Sequence, residues 1–248
     1  MDFPSIFQRY DTEFTDNLYD DQDWIRSAFN KEIHTTVLDI ACGTGRSSIQ
    51  LLNSGVVVTG IDANNEALEI FQSKAVGSET AKTLFVENID INLQFPEGKW
   101  DIILIVGNSI GIIQSRERLD WFFKWASESL NVNGRLLITM TFPENGPIPM
   151  DVEQPKKSYV LNNGFKYERS FRLSASEENS TIYLNYWQDD ILVHQDVLNL
   201  YRYHWTLIKT LAEKYFGFQN VNYELKFSAT GHQERTEPYE VFLKINKV

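Results

Sequence analysis

A chain of 248 residues with 42% hydrophobic and 23% charged side chains has an ordinary globular composition, long enough for one large domain or a domain with a cap. Its formal charge of −11, with no basic cluster beyond Lys156-Lys157, argues against nucleic acid, whose phosphates call for a basic face, and suits a neutral or cationic small molecule. One cysteine, Cys42, excludes an internal disulfide framework; with no apolar run of membrane-span length and no signal-peptide pattern at MDFPSIFQRYDTEF, the expectation is a cytoplasmic protein without a membrane partner.

Residues 1–30 mix aromatic side chains (Phe7, Tyr10, Phe14, Tyr19, Trp24, Phe29) with acids, and two short helices joined near Thr15–Asp20 are expected. Regular alternation then begins. Val37–Ala41 reads as a strand, Arg46–Asn53 as a helix and Val56–Ile61 as a second strand. Asn64 is a good N-cap for a helix over Asn65–Lys74, whose Ala67, Leu68, Ile70 and Phe71 share one side. Thr83–Val86 is a short strand, and Trp100–Val106 is the nearly continuous apolar run of a strand covered on both faces. Arg116–Leu130 is an amphipathic helix, and Asn133-Gly134 turns into a strand over Arg135–Thr141. Strands alternating with helices imply parallel pairing through right-handed crossovers.

After Phe142 the pattern changes. Pro143, Pro147, Pro149 and Pro155 with Gly146 mark an irregular connection. A period of two follows over Phe165–Leu173, then a polar turn at Ser174–Ser180 and strands over Thr181–Gln188 and Ile191–Leu200, an antiparallel signature. His204–Phe216 is helical with Gly217 as its C-cap, and Val221–Phe227 and Val241–Ile245 close the sheet.

The segment with the most chemistry is Thr36–Ser48, TVLDIACGTGRSS. A strand carrying Asp39 breaks into Gly43-Thr44-Gly45 before a helical pattern. Such glycines let the backbone approach a ligand, and the helix start presents free N–H groups. Asp62 ends the next strand, where an acid can accept from both ribose hydroxyls of an adenosine. The dinucleotide fingerprint is incomplete, because Ser48 stands at its third glycine position, and Arg46-Ser47 after Gly45 rules out a Walker A loop. Spacing alone supports an adenosine-type ligand on a Rossmann-like sheet.

The run DIACGTGR resembles motif I of the class I S-adenosylmethionine (SAM) dependent methyltransferases. Asp62, the segment Glu87-Asn88-Ile89-Asp90, and the strand ending in Val106 before Gly107-Asn108-Ser109 also stand where that family has such features, so the resemblance covers about residues 30–143. Gly-Asn-Ser is similar to what glycine and amino-sugar N-methyltransferases carry at this point. The resemblance implies an α/β fold: a Rossmann-like seven-stranded, mostly parallel sheet with an antiparallel C-terminal strand, an antiparallel β insertion and an N-terminal helical lid. It divides the chain into a lid (1–30), a SAM-binding core (31–143), a β-rich acceptor cap (144–203) and closing core elements (204–248).

The resemblance also implies roles. Ala41, Cys42, Gly43 and Gly45 form the turn against the amino-acid part of SAM, and Asp39 holds that turn and acts through water or backbone on the ammonium end. Asp62, with Ala63 beside it, takes the ribose. Ile89 and Asp90 are both candidates for the adenine, because aligning from Phe95-Pro96 puts the family's acidic position on Ile89, one residue early. Val106, Gly107 and Asn108 lie beside the sulfonium, and Tyr10 and Tyr19 cover the methionine end. S-adenosyl-L-homocysteine is the implied product and a small molecule the implied acceptor.

For a catalytic base the candidates are His194, Tyr201, His204 and Asn108, with Ser109 beside the last. Each histidine also reads as a packing or surface residue. Four scattered histidines (34, 194, 204, 232) give no metal-ligand spacing, so no metal is expected. Gly107-Asn108-Ser109-Ile110-Gly111 formally fits the G-x-S-x-G elbow of serine hydrolases, for which Asp196 and His232 are conceivable partners. That reading leaves Asp39, Gly43, Gly45 and Asp62 without a role. A SAM- or nucleotide-binding protein without catalysis is the other alternative. The sequence is compatible with a homodimer and does not specify one.

Overall fold

The computed structural model describes residues 3–14, 21–52, 54–77, 81–85, 95–140, 151–175, 179–226 and 240–248. In chain order its elements are α1 (Ile6–Phe14), α2 (Asp21–Ala28), β1 (Thr36–Ile40), α3 (Ile49–Leu52), β2 (Val57–Asp62), α4 (Asn65–Lys74), β3 (Ala81–Phe85), β4 (Trp100–Ile105), α5 (Arg116–Ser129) and β5 (Leu130–Met140). There follow β6 (Asp151–Val160), β7 (Lys166–Ala175), β8 (Asn179–Gln188), β9 (Ile191–Tyr201), α6 (Trp205–Phe216), β10 (Val221–Lys226) and β11 (Glu240–Asn246). Short 3-10 turns lie at Ser109–Ile112 and Phe218–Asn220.

One sheet runs in the order β10-β11-β5-β4-β1-β2-β3. Its β3-β2-β1-β4-β5 portion is parallel, and β11 is antiparallel to both neighbours. Every residue of β4 is buried because helices cover both faces. On one face Leu38, Ile103, Ile105 and Leu136 pack with Phe122, Phe123 and Ile208 of α5 and α6. On the other, Val37, Val58, Ile102 and Leu104 pack with Trp24 and Ile25 of α2 and Leu68 and Phe71 of α4. Asp101 pins the start of β1: its Oδ2 accepts from the amides of Thr35 (2.7 Å) and Thr36 (3.0 Å), and its Oδ1 from Asn131 (2.7 Å).

Three elements differ from the sequence expectation. The helix expected over Arg46–Asn53 shrinks to Ile49–Leu52, because Arg46, Ser47 and Ser48 form turns and Arg46 is drawn to Asp21. β5 starts at Leu130, with Asn133 in the left-handed region (φ 66°) and Gly134 absorbed as an irregularity of the strand. Of the expected irregular connection, Pro143, Gly146, Pro147 and Pro149 lie outside the described residues, while Pro155 falls in β6, an edge strand of a second, antiparallel sheet ordered β6-β7-β8-β9. Pro155 is tolerated there because the register with β7 shifts between Gln154 and Lys157, where a missing N–H costs no ladder bond.

Candidate functional site

Strands β4, β1 and β2 are neighbours, so their C-terminal ends bring Val106–Asn108, Ala41–Gly45 and Asp62–Ala63 together. The chain order reverses between β1 and β4, which opens a crevice at the strand ends of such sheets.

The loop after β1 is built from left-handed backbone: Ala41 (φ 55°), Gly43 (52°) and Gly45 (77°). The amide of Cys42 donates to Ile61 O (3.0 Å), tying the loop to β2. The two motif glycines serve different purposes. A Cβ on Gly43 would meet nothing within 4 Å, so this glycine faces open space. A Cβ on Gly45 would lie 2.2 Å from the Phe71 ring, so its missing side chain is room for α4. Cys42 is buried, and burial pushes its thiol well above the usual range, as for a packing residue rather than a nucleophile.

Asp62 accepts from the amides of Gly43 (2.8 Å) and Asn64 (2.9 Å). Burial raises its carboxyl and these amides pull it back. Asp39, in mid-sheet between Gly60 and Leu104, is fully buried. Burial pushes its carboxyl up to about 7, against the pull of Ser48 and Arg46. Its Oδ2 is a buried acceptor without a hydrogen-bond partner.

At the end of β4, Gly107 (φ 66°) and Asn108 (φ 68°) are left-handed in succession, a conformation Asn tolerates. Thr139 of β5 holds them: its hydroxyl accepts from Gly107 N (2.7 Å) and its carbonyl from Asn108 N (3.2 Å). Thr139 was not among the sequence candidates, because its only signal is its place on the neighbouring strand. A Cβ on Gly111 would meet Tyr201 O at 2.8 Å, so the end of β9 lies directly on this turn. That close approach accounts for Gly111 without a hydrolytic elbow. The Tyr201 ring in turn lies tilted against that of Tyr203, with ring centres 4.7 Å apart.

The N-terminal helices rest on the same loop. Asp21 and Arg46 form a bidentate pair (2.9 and 2.7 Å), and Tyr10 hydrogen-bonds to Arg46. Asp11 accepts from the Thr44 hydroxyl (2.8 Å) and pairs with Lys74, which donates to Thr44 O (2.8 Å). The opposite side of α1 meets the antiparallel sheet. There Glu13 accepts from Tyr167 (2.9 Å) and Arg169 (2.8 Å), and the Arg9 guanidinium lies 3.7 Å from the Tyr186 ring centre and pairs with Asp196.

Of the sequence-predicted site residues, Tyr10, Asp39, Ala41, Cys42, Gly43, Gly45, Asp62, Ala63, Val106, Gly107 and Asn108 thus share one region. Tyr201 reaches it through β9. His194 does not: it pairs with Asp196 (3.0 Å) and stacks on Phe3 (5.2 Å). His204 sits at the N-cap of α6 and bonds Thr206 (2.6 Å). Asp196, the conceivable hydrolase acid, is held by Arg9 and His194. Tyr19, Ile89, Asp90 and His232 lie outside the described residues. Among the described residues no cluster of metal-ligating side chains occurs, and no helix is long and apolar enough to cross a membrane.

These features define a class. Residues 37–134 match the family model for a methyltransferase domain, and the sheet, strand-end loops and motif order are those of the class I methyltransferase fold. Among individual proteins, YqeM of Bacillus subtilis is 31% identical over 114 residues, 46% of this chain and 44% of YqeM, so the match spans under half of that curated relative. The sugar N-methyltransferase KedS8 from Streptoalloteichus superposes with a TM-score of 0.71 at 13% identity, covering 100% of this chain and 95% of KedS8. SAM-bound CalS10, an amino pentose methyltransferase from Micromonospora echinaspora, gives 0.67 at 13% identity, covering 99% of this chain and 98% of CalS10.

Proposed function

We propose that the protein is a SAM-dependent methyltransferase acting on a small molecule, with nitrogen as the preferred acceptor atom. The observation that carries this is the conjunction at adjacent strand ends of an unpartnered buried carboxylate oxygen on Asp39, an open-faced Gly43 and the Asp62 carboxylate. A cationic ammonium suits the first, a close-lying amino-acid backbone the second and a ribose the third.

SAM, when bound, supplies a methyl group on a sulfonium that is already a good leaving group. Asp62 keeps acceptor capacity beyond the backbone amides of Gly43, Asn64 and Ala63, since an ionised carboxylate offers about four lone-pair sites. Thr139 fixes Gly107 and Asn108 so that the end of β4 presents a rigid floor to the reacting atoms. In this reading α1 and α2 are the lid, with Tyr10 over the methionine end, and β6–β9 form the acceptor cap. Tyr201, against the Ser109–Ile112 turn, belongs to the acceptor wall. A neutral amine attacks without needing a base, whereas a hydroxyl must lose its proton. The engagement of His194 and His204 away from the strand ends supports the amine.

Thermal unfolding with SAM, S-adenosylhomocysteine, NAD and ATP added separately tests the proposal. SAM and S-adenosylhomocysteine should each raise Tm by mass action and the other two should not. A shift with NAD or ATP alone would refute it.

A further inference from the structure

The nine-residue helix α1 is engaged on two sides. Arg9 and Glu13 stand four apart and share one side, while Tyr10 and Asp11 turn away from them by about 100° per residue. Tyr10 and Asp11 meet the loop after β1: Tyr10 bonds to Arg46, and Asp11 takes the Thr44 hydroxyl and Lys74. Arg9 and Glu13 meet the antiparallel sheet. Buried Glu13 gathers the hydroxyls of Tyr167 on β7 and Tyr186 on β8 (2.9 and 3.4 Å) and the Arg169 guanidinium of β7 (2.8 Å). Burial, and then Glu13, raises both phenols above their ordinary value, so they stay donors. Arg9, completely buried, lies over the rings of Phe3 and Tyr186. Its docking is incomplete. Nε and Nη1 are buried without a hydrogen-bond partner, and Nε stands 3.7 Å from Glu13 Oε1. Buried donors left unsatisfied cost free energy that contact with water restores. Seating α1 on the sheet therefore carries a penalty that release relieves, and the contacts at the loop weigh in the balance.

We infer that Glu13 is a positioning residue: through α1 it couples the state of the loop after β1 to the seating of the antiparallel sheet. A short helix moves as one body, so a shift at Tyr10 and Asp11 displaces Arg9 and Glu13 as well. An apolar contact tolerates sliding. A buried charge cluster pairs in one geometry and breaks when displaced, which gives the helix two discrete states. A ligand that holds Tyr10 and Asp11 at the loop thereby also holds β7 and β8. By linkage, a molecule seated on the sheet strengthens the loop site by the same factor. The identity of that ligand rests on the function proposed above, whereas the two-sided engagement of α1 does not.

Hydrogen exchange read by mass spectrometry on the full chain tests this, with S-adenosylhomocysteine as the probe. Saturating probe should slow exchange in β7 and β8, relative to β4, by about fivefold or more, although no residue of β7 or β8 belongs to the proposed cofactor site. Glu13→Gln keeps the size of the side chain and removes its charge. In this variant the probe should still raise Tm, and the slowing in β7 and β8 should be lost. A Glu13 that only supported the fold would lower Tm and leave the slowing in place. Asp11→Ala releases the helix from Thr44 and Lys74. With no probe present it should speed exchange in β7 and β8 by a similar factor and leave β4 unchanged. A probe that raises Tm without slowing β7 and β8 overturns the inference. So does slowing that persists in Glu13→Gln, or an Asp11→Ala variant that exchanges like the wild type. A chain that binds no S-adenosylhomocysteine refutes the functional reading instead, and the Asp11→Ala comparison then decides the coupling alone.

Discussion

Phe71 of α4 leaves no room for a side chain on Gly45, whereas Gly43, two residues earlier, faces open space. One glycine of the motif therefore serves packing and the other leaves room for a ligand. Gly45→Ala should cost about 2–4 kcal/mol of stability, from overpacking plus a left-handed alanine. Gly43→Ala should cost only about 1–2 kcal/mol, the left-handed term alone. Gly43→Val should stay folded and lose SAM binding. Urea unfolding and calorimetry check this, and equal destabilisation at the two positions would contradict the packing role of Gly45.

Asp39 sets a pH dependence. Its carboxyl is raised to about 7 in the folded chain and lies at an ordinary value near 4 when unfolded. Between these limits the folded state holds more protons. The stabilisation is complete below about 4 and is lost as pH rises through about 7, at up to ~1.4 kcal/mol per pH unit. Asp39→Asn should remove that slope relative to wild type in urea unfolding across pH 4.5–8. A cationic ligand favours the ionised form, so SAM binding at pH 6 should release up to about one proton, measurable by calorimetry in buffers of different ionisation enthalpy.

Asp62 both receives a ligand in the proposed site and shapes the loop through Gly43 N and Asn64 N. Asp62→Ala should weaken SAM binding by about 1.5–3 kcal/mol, the scale of a hydrogen bond to a charged group. It should also lower Tm, because the amides of Gly43, Asn64 and Ala63 lose their acceptor. Unchanged affinity in calorimetry would remove Asp62 from the site.

The Asp21–Arg46 pair joins α2 to the cofactor loop, and Asp21 is completely buried. Asp21→Ala leaves a largely buried guanidinium without its carboxylate and should cost about 3–5 kcal/mol. Asp21→Leu/Arg46→Met, which removes both charges, should cost much less. Limited proteolysis should cut the N-terminal segment sooner in the single variant than in the double one.

Ser109 separates methyl transfer from hydrolysis. Ser109→Ala should bind SAM normally and lose little turnover, whereas loss of a covalent nucleophile costs orders of magnitude. A fluorophosphonate probe should leave Ser109 unlabelled.

The sequence by itself determined the parallel core, because apolar strands alternating with amphipathic helices bury their residues in only one kind of layer. It also determined the motif: Asp39, Gly43, Gly45 and Asp62 lie close enough along the chain to act through local backbone geometry. It did not determine β6, where Pro155 outweighed a strand that exists only because β7 offers it a partner and a register shift accommodates that proline. It read the histidines as candidate bases, since a side chain's neighbours across a fold leave no local trace. Tertiary structure placed His194 against Phe3 and Asp196. It also divided the motif glycines between Phe71 and open space, and put Thr139 under Gly107. Each of these depends on segments far apart in sequence meeting at one strand end, and no spacing along the chain encodes that meeting.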